Sequence, residues 1–103
     1  MKVFPLTDDQ GNVTAFEVPN WKLSRGRAVK IIDRVPGASI ELRPKWPFPF
    51  GREDVFCRFR FNGRVFEIEE PFGDNSRYLI CEAEGSRSSR ELEVLMSAYR
   101  AAW

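Results

Sequence analysis

Few side chains in this sequence are suited to acid–base, nucleophilic or metal chemistry, and their spacing argues against most of it. The chain contains no histidine. That removes the commonest general base, the commonest metal ligand and every Ser-His or Cys-His nucleophile pair. Cys57 and Cys81 lie far apart without a CxxC pair. Alternation along their strands points both inward, as reduced core thiols. A zinc site built on them would need carboxylates for its remaining ligands. Acidic pairs occur as Asp8-Asp9 and Glu69-Glu70. Successive residues of a strand point to opposite faces, so Glu69 and Glu70 cannot share a proton. Glu67 and Glu69 share a face, but Arg58 and Arg60 oppose them as counter-ions, which suits an ion-paired surface rather than a general acid. The segments "GRED", "NGR" and "FGDN" lack the glycine repeat and the Lys-Ser/Thr ending of a phosphate-binding loop. The chain is therefore expected to be no enzyme and to need no cofactor and no metal.

What remains are surfaces. In "RPKWPFPFGRED", Trp46, Phe48 and Phe50 stand between Pro44, Pro47 and Pro49. Either these rings fold back over the open end of the sheet or they meet a partner. Burying one is worth about 1.5–3 kcal/mol, which favours folding back for at least one of them. Pro44 and Pro47 have the spacing of a polyproline ligand, but Glu41 and Pro49 occupy the positions where a basic residue is required. A second surface is the solvated face of a hairpin, with Phe56, Arg58 and Arg60 against Val65, Glu67 and Glu69. Basic and aromatic residues interleaved on a sheet can bind single-stranded nucleic acid, yet the glutamates here would repel its phosphates. Phe72 in "EEPFGDNSR" is a third candidate, as a recognition loop or an ordinary turn anchor. Arg25 and Arg27 at a helix start are a fourth, as an anion site or as solvated side chains.

These residues must be carried by elements that the sequence marks clearly. "DVFCRFRFNGRVFEIEE" contains two alternating runs around Asn62-Gly63, the preferred pair for a type I′ hairpin. The turn predicts Phe61 opposite Arg64, Phe59 opposite Phe66 and Cys57 opposite Ile68 on the core face. On the outer face it predicts Arg60 opposite Val65, Arg58 opposite Glu67 and Phe56 opposite Glu69. "KVFPL", "TDDQGN" and "VTAFEV" read as strand, turn and strand. Pro5 confines the first strand to an edge or makes it irregular, and Thr14, Phe16 and Val18 share a face. "LSRGRAVKIIDRVPG" reads as a helix capped by Ser24, with Ala28, Ile31, Ile32 and Val35 inward and Pro36-Gly37 as its stop. "ASIELR" returns to period two, with Ala38, Ile40 and Leu42 on one side.

"RYLICEAE" is a further strand. Pairing Arg77 with Glu70 sends Leu79, Cys81 and Ala83 inward and Tyr78 and Ile80 outward, and a slip of one residue inverts this. "SRSSRELEVLMSAYRAAW" is a helix capped by Ser88 or Ser89, with Glu91 and Glu93 near its start and Leu92, Leu95, Met96 and Tyr99 as its apolar stripe.

The predicted fold class is α+β: a mostly antiparallel sheet of five to six strands with two helices on one face, in the order β-β-α-β-β-β-β-α. With the first strand set aside, that order is similar to one repeat of the TATA-binding-protein fold. The similarity is of element order alone and implies no function. Residues 1–103 form a single domain of ordinary size.

Sixteen basic against fifteen acidic residues give a formal charge of +1. That balance speaks against a dedicated nucleic-acid binder and against an anionic membrane surface. No apolar stretch follows Lys2 before Asp8, and no stretch approaches a membrane span. With two cysteines and no disulfide framework, a cytoplasmic setting is expected. The expectation for function is a small non-catalytic protein-interaction or regulatory domain, a monomer or weak homodimer, that binds a partner protein. The alternatives are single-stranded nucleic-acid binding on the outer sheet face, then a small-ligand binder or enzyme working without histidine.

Overall fold

A computed structural model describes residues 1–21, 23–42, 55–70, 76–85 and 87–102. Trp46, Phe48, Phe50 and Phe72 lie outside the described residues. The elements are β1 (Phe4–Thr7), β2 (Val13–Pro19), α1 (Arg25–Asp33), β3 (Ala38–Leu42), β4 (Val55–Phe61), β5 (Arg64–Glu69), β6 (Arg77–Glu82) and α2 (Arg90–Arg100). The strands form one sheet in the order β1-β2-β6-β5-β4-β3, antiparallel throughout. This is the α+β class expected, and its element order is compatible with the TATA-binding-protein resemblance.

Local chemistry sets each turn. Asp8 Oδ1 accepts the backbone N–H groups of Gln10 and Asn12, both at 2.9 Å, and holds the β1–β2 connection. The same two N–H groups, Asn12's first in weight, lower the Asp8 pKa, because they bond the charged carboxylate. Asn62 and Gly63 adopt φ 51 and 78, the left-handed pair that a type I′ hairpin requires. The register behind that turn is Phe61↔Arg64, Phe59↔Phe66, Arg60↔Val65, Arg58↔Glu67 and Cys57↔Ile68, as expected. Pro5 is on the edge strand, where its missing N–H costs no ladder bond.

Ser24 Oγ caps α1 by accepting from the Arg27 N–H at 3.1 Å, and Ser89 Oγ caps α2 by accepting from the Leu92 N–H at 3.2 Å. Both helices bury their apolar stripes on the sheet face that carries Phe16, Val18, Phe59, Phe66, Ile68 and Ile80. Phe16 meets Tyr99 edge to face at 5.8 Å, and Phe59 stacks on Phe66 at 5.5 Å. Two buried hydroxyls tie α1 down: Tyr78 Oη donates to the Leu23 carbonyl at 2.7 Å, and Tyr99 Oη to the Ala28 carbonyl at 2.9 Å. Each satisfies a polar atom that would otherwise cost about 1–3 kcal/mol to bury.

Three expectations about facing are corrected. First, β4 carries an extra residue: Val55, not Phe56, opposes Glu69, and Cys57 opposes Ile68. Such a bulge redirects one side chain. Phe56 therefore leaves the outer face and joins the core, 4% exposed. Second, β6 is paired one residue away from the Arg77–Glu70 register, with Leu79 opposite Glu69 and Ile80 opposite Ile68. Tyr78 and Ile80 are consequently buried, and Leu79 and Cys81 turn to the outer face. Third, a register shift in β3 sets Leu42 opposite the outer-face Arg58, so it does not share a side with Ala38 and Ile40, which stand opposite Phe61 and Phe59.

Candidate functional site

With both helices on one face, no described helix covers the other. Strand register places two rows across five strands of that outer face. The first runs Leu6, Ala15, Cys81, Glu67, Arg58, and the second runs Phe4, Glu17, Leu79, Glu69, Val55. The β1–β2–β6 side of the face is mainly apolar, and the β5–β4 side is mainly charged.

On the apolar side Leu6 is 39% exposed, Ala15 is buried between its neighbours, and Phe4, Leu79 and Cys81 are half-buried. Phe4 lies under the Arg77 guanidinium at 3.7 Å, and the Lys2 ammonium is 5.4 Å from the same ring. Arg77 Nη1 also donates to Glu17 Oε1 at 3.1 Å. The cation thus caps the edge of the apolar patch and is neutralised in place. Burial pushes the Cys81 thiol up to about 11, with Glu69 and Glu67 adding to the effect. A thiol at that value is protonated near neutral pH and is a poor nucleophile.

On the charged side Arg58 grips Glu67 through Nε at 3.1 Å and Nη2 at 2.7 Å. The Glu67 hydrogen bond and charge raise the Arg58 pKa. Arg60 pairs with Glu41 at 3.3 Å. Arg58 and Arg60 therefore stand on the outer face as expected, and both are already engaged with carboxylates.

Phe56, the third residue nominated on this face, belongs to a different cluster at one end of the sheet. It meets Tyr78 edge to face at 5.1 Å and lies under the Arg25 guanidinium at 4.8 Å. Arg25 donates twice to Glu70 Oε1, at 2.7 and 3.0 Å, and Asn20 Nδ2 donates to Glu70 Oε2 at 3.2 Å. Arg25 is thus a structural clasp between α1 and the end of β5 rather than an anion receptor. A further buried carboxylate, Glu82, is held by Arg64 at 3.2 Å and Arg87 at 3.1 Å.

Comparison with known proteins returns no matching family model, no matching curated protein and no matching solved structure. Among the described residues no group of three or more Cys, Asp or Glu side chains is arranged to hold a metal ion.

Phe4, Leu6, Ala15, Leu79 and Cys81 are the outer-face residues that sequence periodicity does not nominate. In "RYLICE" both alternating sets are apolar enough to be core, so only the register with β5 decides which turns outward. For Phe4 and Leu6 the only available signal is the alternation of β1 around Pro5.

Proposed function

We propose that the chain is a non-catalytic protein-interaction domain that docks a partner protein on the outer face of its sheet. The observation that carries this is the pair of rows across five strands: an apolar half built on Phe4, Leu6, Leu79 and Cys81, beside a half whose charges neutralise one another. A partly apolar patch bordered by paired charges suits a protein surface, where the polar rim fixes orientation and the apolar centre supplies burial. A phosphate backbone would meet Glu17, Glu41, Glu67 and Glu69 against Arg58, Arg60 and Arg77, all three already paired. That balance disfavours single-stranded nucleic acid, whose affinity depends on unpaired cations. A cytoplasmic setting and a monomer or weak homodimer in isolation complete the proposal. The free thiols of Cys57 and Cys81, on opposite faces of the sheet, support the former.

The test is a paired capture from native lysate, with the unsubstituted chain, Leu79→Arg and Glu93→Lys as baits. Leu79 is on the outer face and Glu93 is exposed on α2. A stoichiometric protein retained by the unsubstituted chain and by Glu93→Lys, but lost with Leu79→Arg, is the expected result. Equal retention by all three baits rules the outer face out as the docking site.

A further inference from the structure

The outer face leaves unexplained a groove on the helical side of the molecule. A cavity of about 640 Å³ lies between α1 and the C-terminal end of α2. On the α1 side it is lined by Arg27, Lys30, Ile31 and Arg34, and on the α2 side by Ala98, Ala101 and Ala102. The α1 residues follow the i, i+3, i+4, i+7 spacing of a single helix stripe. They place three cations in line over about 10 Å, at a rise of about 1.5 Å per residue.

Six guanidinium groups elsewhere among the described residues are paired. Arg25, Arg58, Arg60, Arg64, Arg77 and Arg87 each contact a carboxylate. Lys30 and Arg34 are exposed and, among the described residues, pair with no carboxylate. Arg90 and Arg100 are exposed in the same way, but of these four cations Lys30 and Arg34 stand together on the rim of a partly apolar cavity.

We infer that this groove binds an acidic amphipathic helix of a partner protein. Its apolar stripe would sit on Ile31 and the three alanines, and its carboxylates over Arg27, Lys30 and Arg34. The floor is recessed between two helices, so an occupant must insert side chains to reach it. The alanine wall is small enough for a third helix to approach at the usual separation of about 8–10 Å. Carboxylates spaced three and four residues apart on that helix match the cation spacing on α1. The final carbonyl groups of α2 carry the negative end of its dipole, which directs the carboxylates to the α1 side. Neither a flat bilayer surface nor a phosphate backbone supplies side chains for the floor. This surface is independent of the outer sheet face, so the two proposals succeed or fail separately.

The probe is a fluorescein-labelled helical peptide with a leucine-alanine stripe flanked by glutamates, titrated at low salt and read by anisotropy. Three comparison ligands are the same peptide with lysine for glutamate, a single-stranded oligonucleotide of equal charge, and vesicles containing phosphatidylglycerol. The variants are the double reversal Lys30→Glu with Arg34→Glu, and Ala101→Phe, which fills the groove without changing charge. Circular dichroism confirms that each is folded. The expected result is saturable binding of the acidic peptide, weakened about tenfold or more by the double reversal, by Ala101→Phe and by added salt. Leu79→Arg leaves it unchanged. Absence of binding, equal affinity for the lysine peptide, insensitivity to the groove variants, or tighter binding of the oligonucleotide or vesicles would each overturn the inference.

Discussion

Phe56 sits with its ring edge against Tyr78 and its face under the Arg25 guanidinium, which Glu70 holds in turn. Truncating it removes a large buried ring from a site where two partners cannot easily collapse inward. Phe56→Ala is expected to cost about 3–5 kcal/mol, read as a lower urea midpoint at unchanged slope. A loss under about 1 kcal/mol would mean the ring is not core. Cys81 makes a second prediction at this scale. Its alkylation rate in the folded protein should climb towards pH 11 rather than level off near pH 9, because the thiolate is disfavoured by burial and by Glu69 and Glu67. Cys57, fully buried on the helical face, should stay unmodified under the same conditions. The pairing of Arg58 with Glu67 was legible from the turn at Asn62-Gly63. The facing of Phe56 was not, because a bulge depends on a neighbour's register and leaves no mark in the alternation of its own strand.

α2 depends on its start. The Ser89 hydroxyl satisfies the Leu92 N–H, and Glu91 and Glu93 occupy the first turn, where the dipole favours acidic groups. Ser89→Ala should lower stability by about 1 kcal/mol, measured by thermal or urea unfolding, and Ser88→Ala should change it little. The hairpin turn is equally specific. Gly63 at φ 78 has open space around a would-be Cβ, so Gly63→Ala is strained by backbone conformation alone and not by a clash. Hairpin, caps and helical stripes were readable because each rests on residues adjacent in sequence. The facing of β6 was not, since no two-residue turn joins it to β5 and "RYLICE" is apolar on both alternating sets. One residue of slip exchanges its faces and moves Cys81 and Leu79 from the core to the outer surface.

At the scale of the whole molecule, burial of weakly acidic groups predicts how stability responds to base. Burial raises the pKa of Tyr99 far above its ordinary value of 10.0, and raises that of Tyr78 and Cys81 as well. The unfolded chain releases these protons first, from near pH 9 for the thiol and 10 for the phenols, while the folded chain retains them. Their contribution is therefore complete below about pH 9 and is lost as pH rises through the folded values. The loss is about 1.4 kcal/mol per pH unit for each proton held only by the native state. Urea midpoints should be level from pH 7 to 9 and fall steadily above pH 10. A flat profile to pH 12 would contradict the buried, hydrogen-bonded placement of Tyr99.

Cys81 reports directly on the proposed docking of a partner protein on the outer sheet face. It lies in the middle of that face between Ala15 and Glu67, while Cys57 faces the helices. The measurement is the rate of maleimide labelling at Cys81 in the complex eluted from native lysate, set against the rate in the isolated chain. Protection of Cys81 in the complex, reversed when the partner is removed, is the predicted result. An unchanged rate within a stable complex would place the partner elsewhere and contradict the claim.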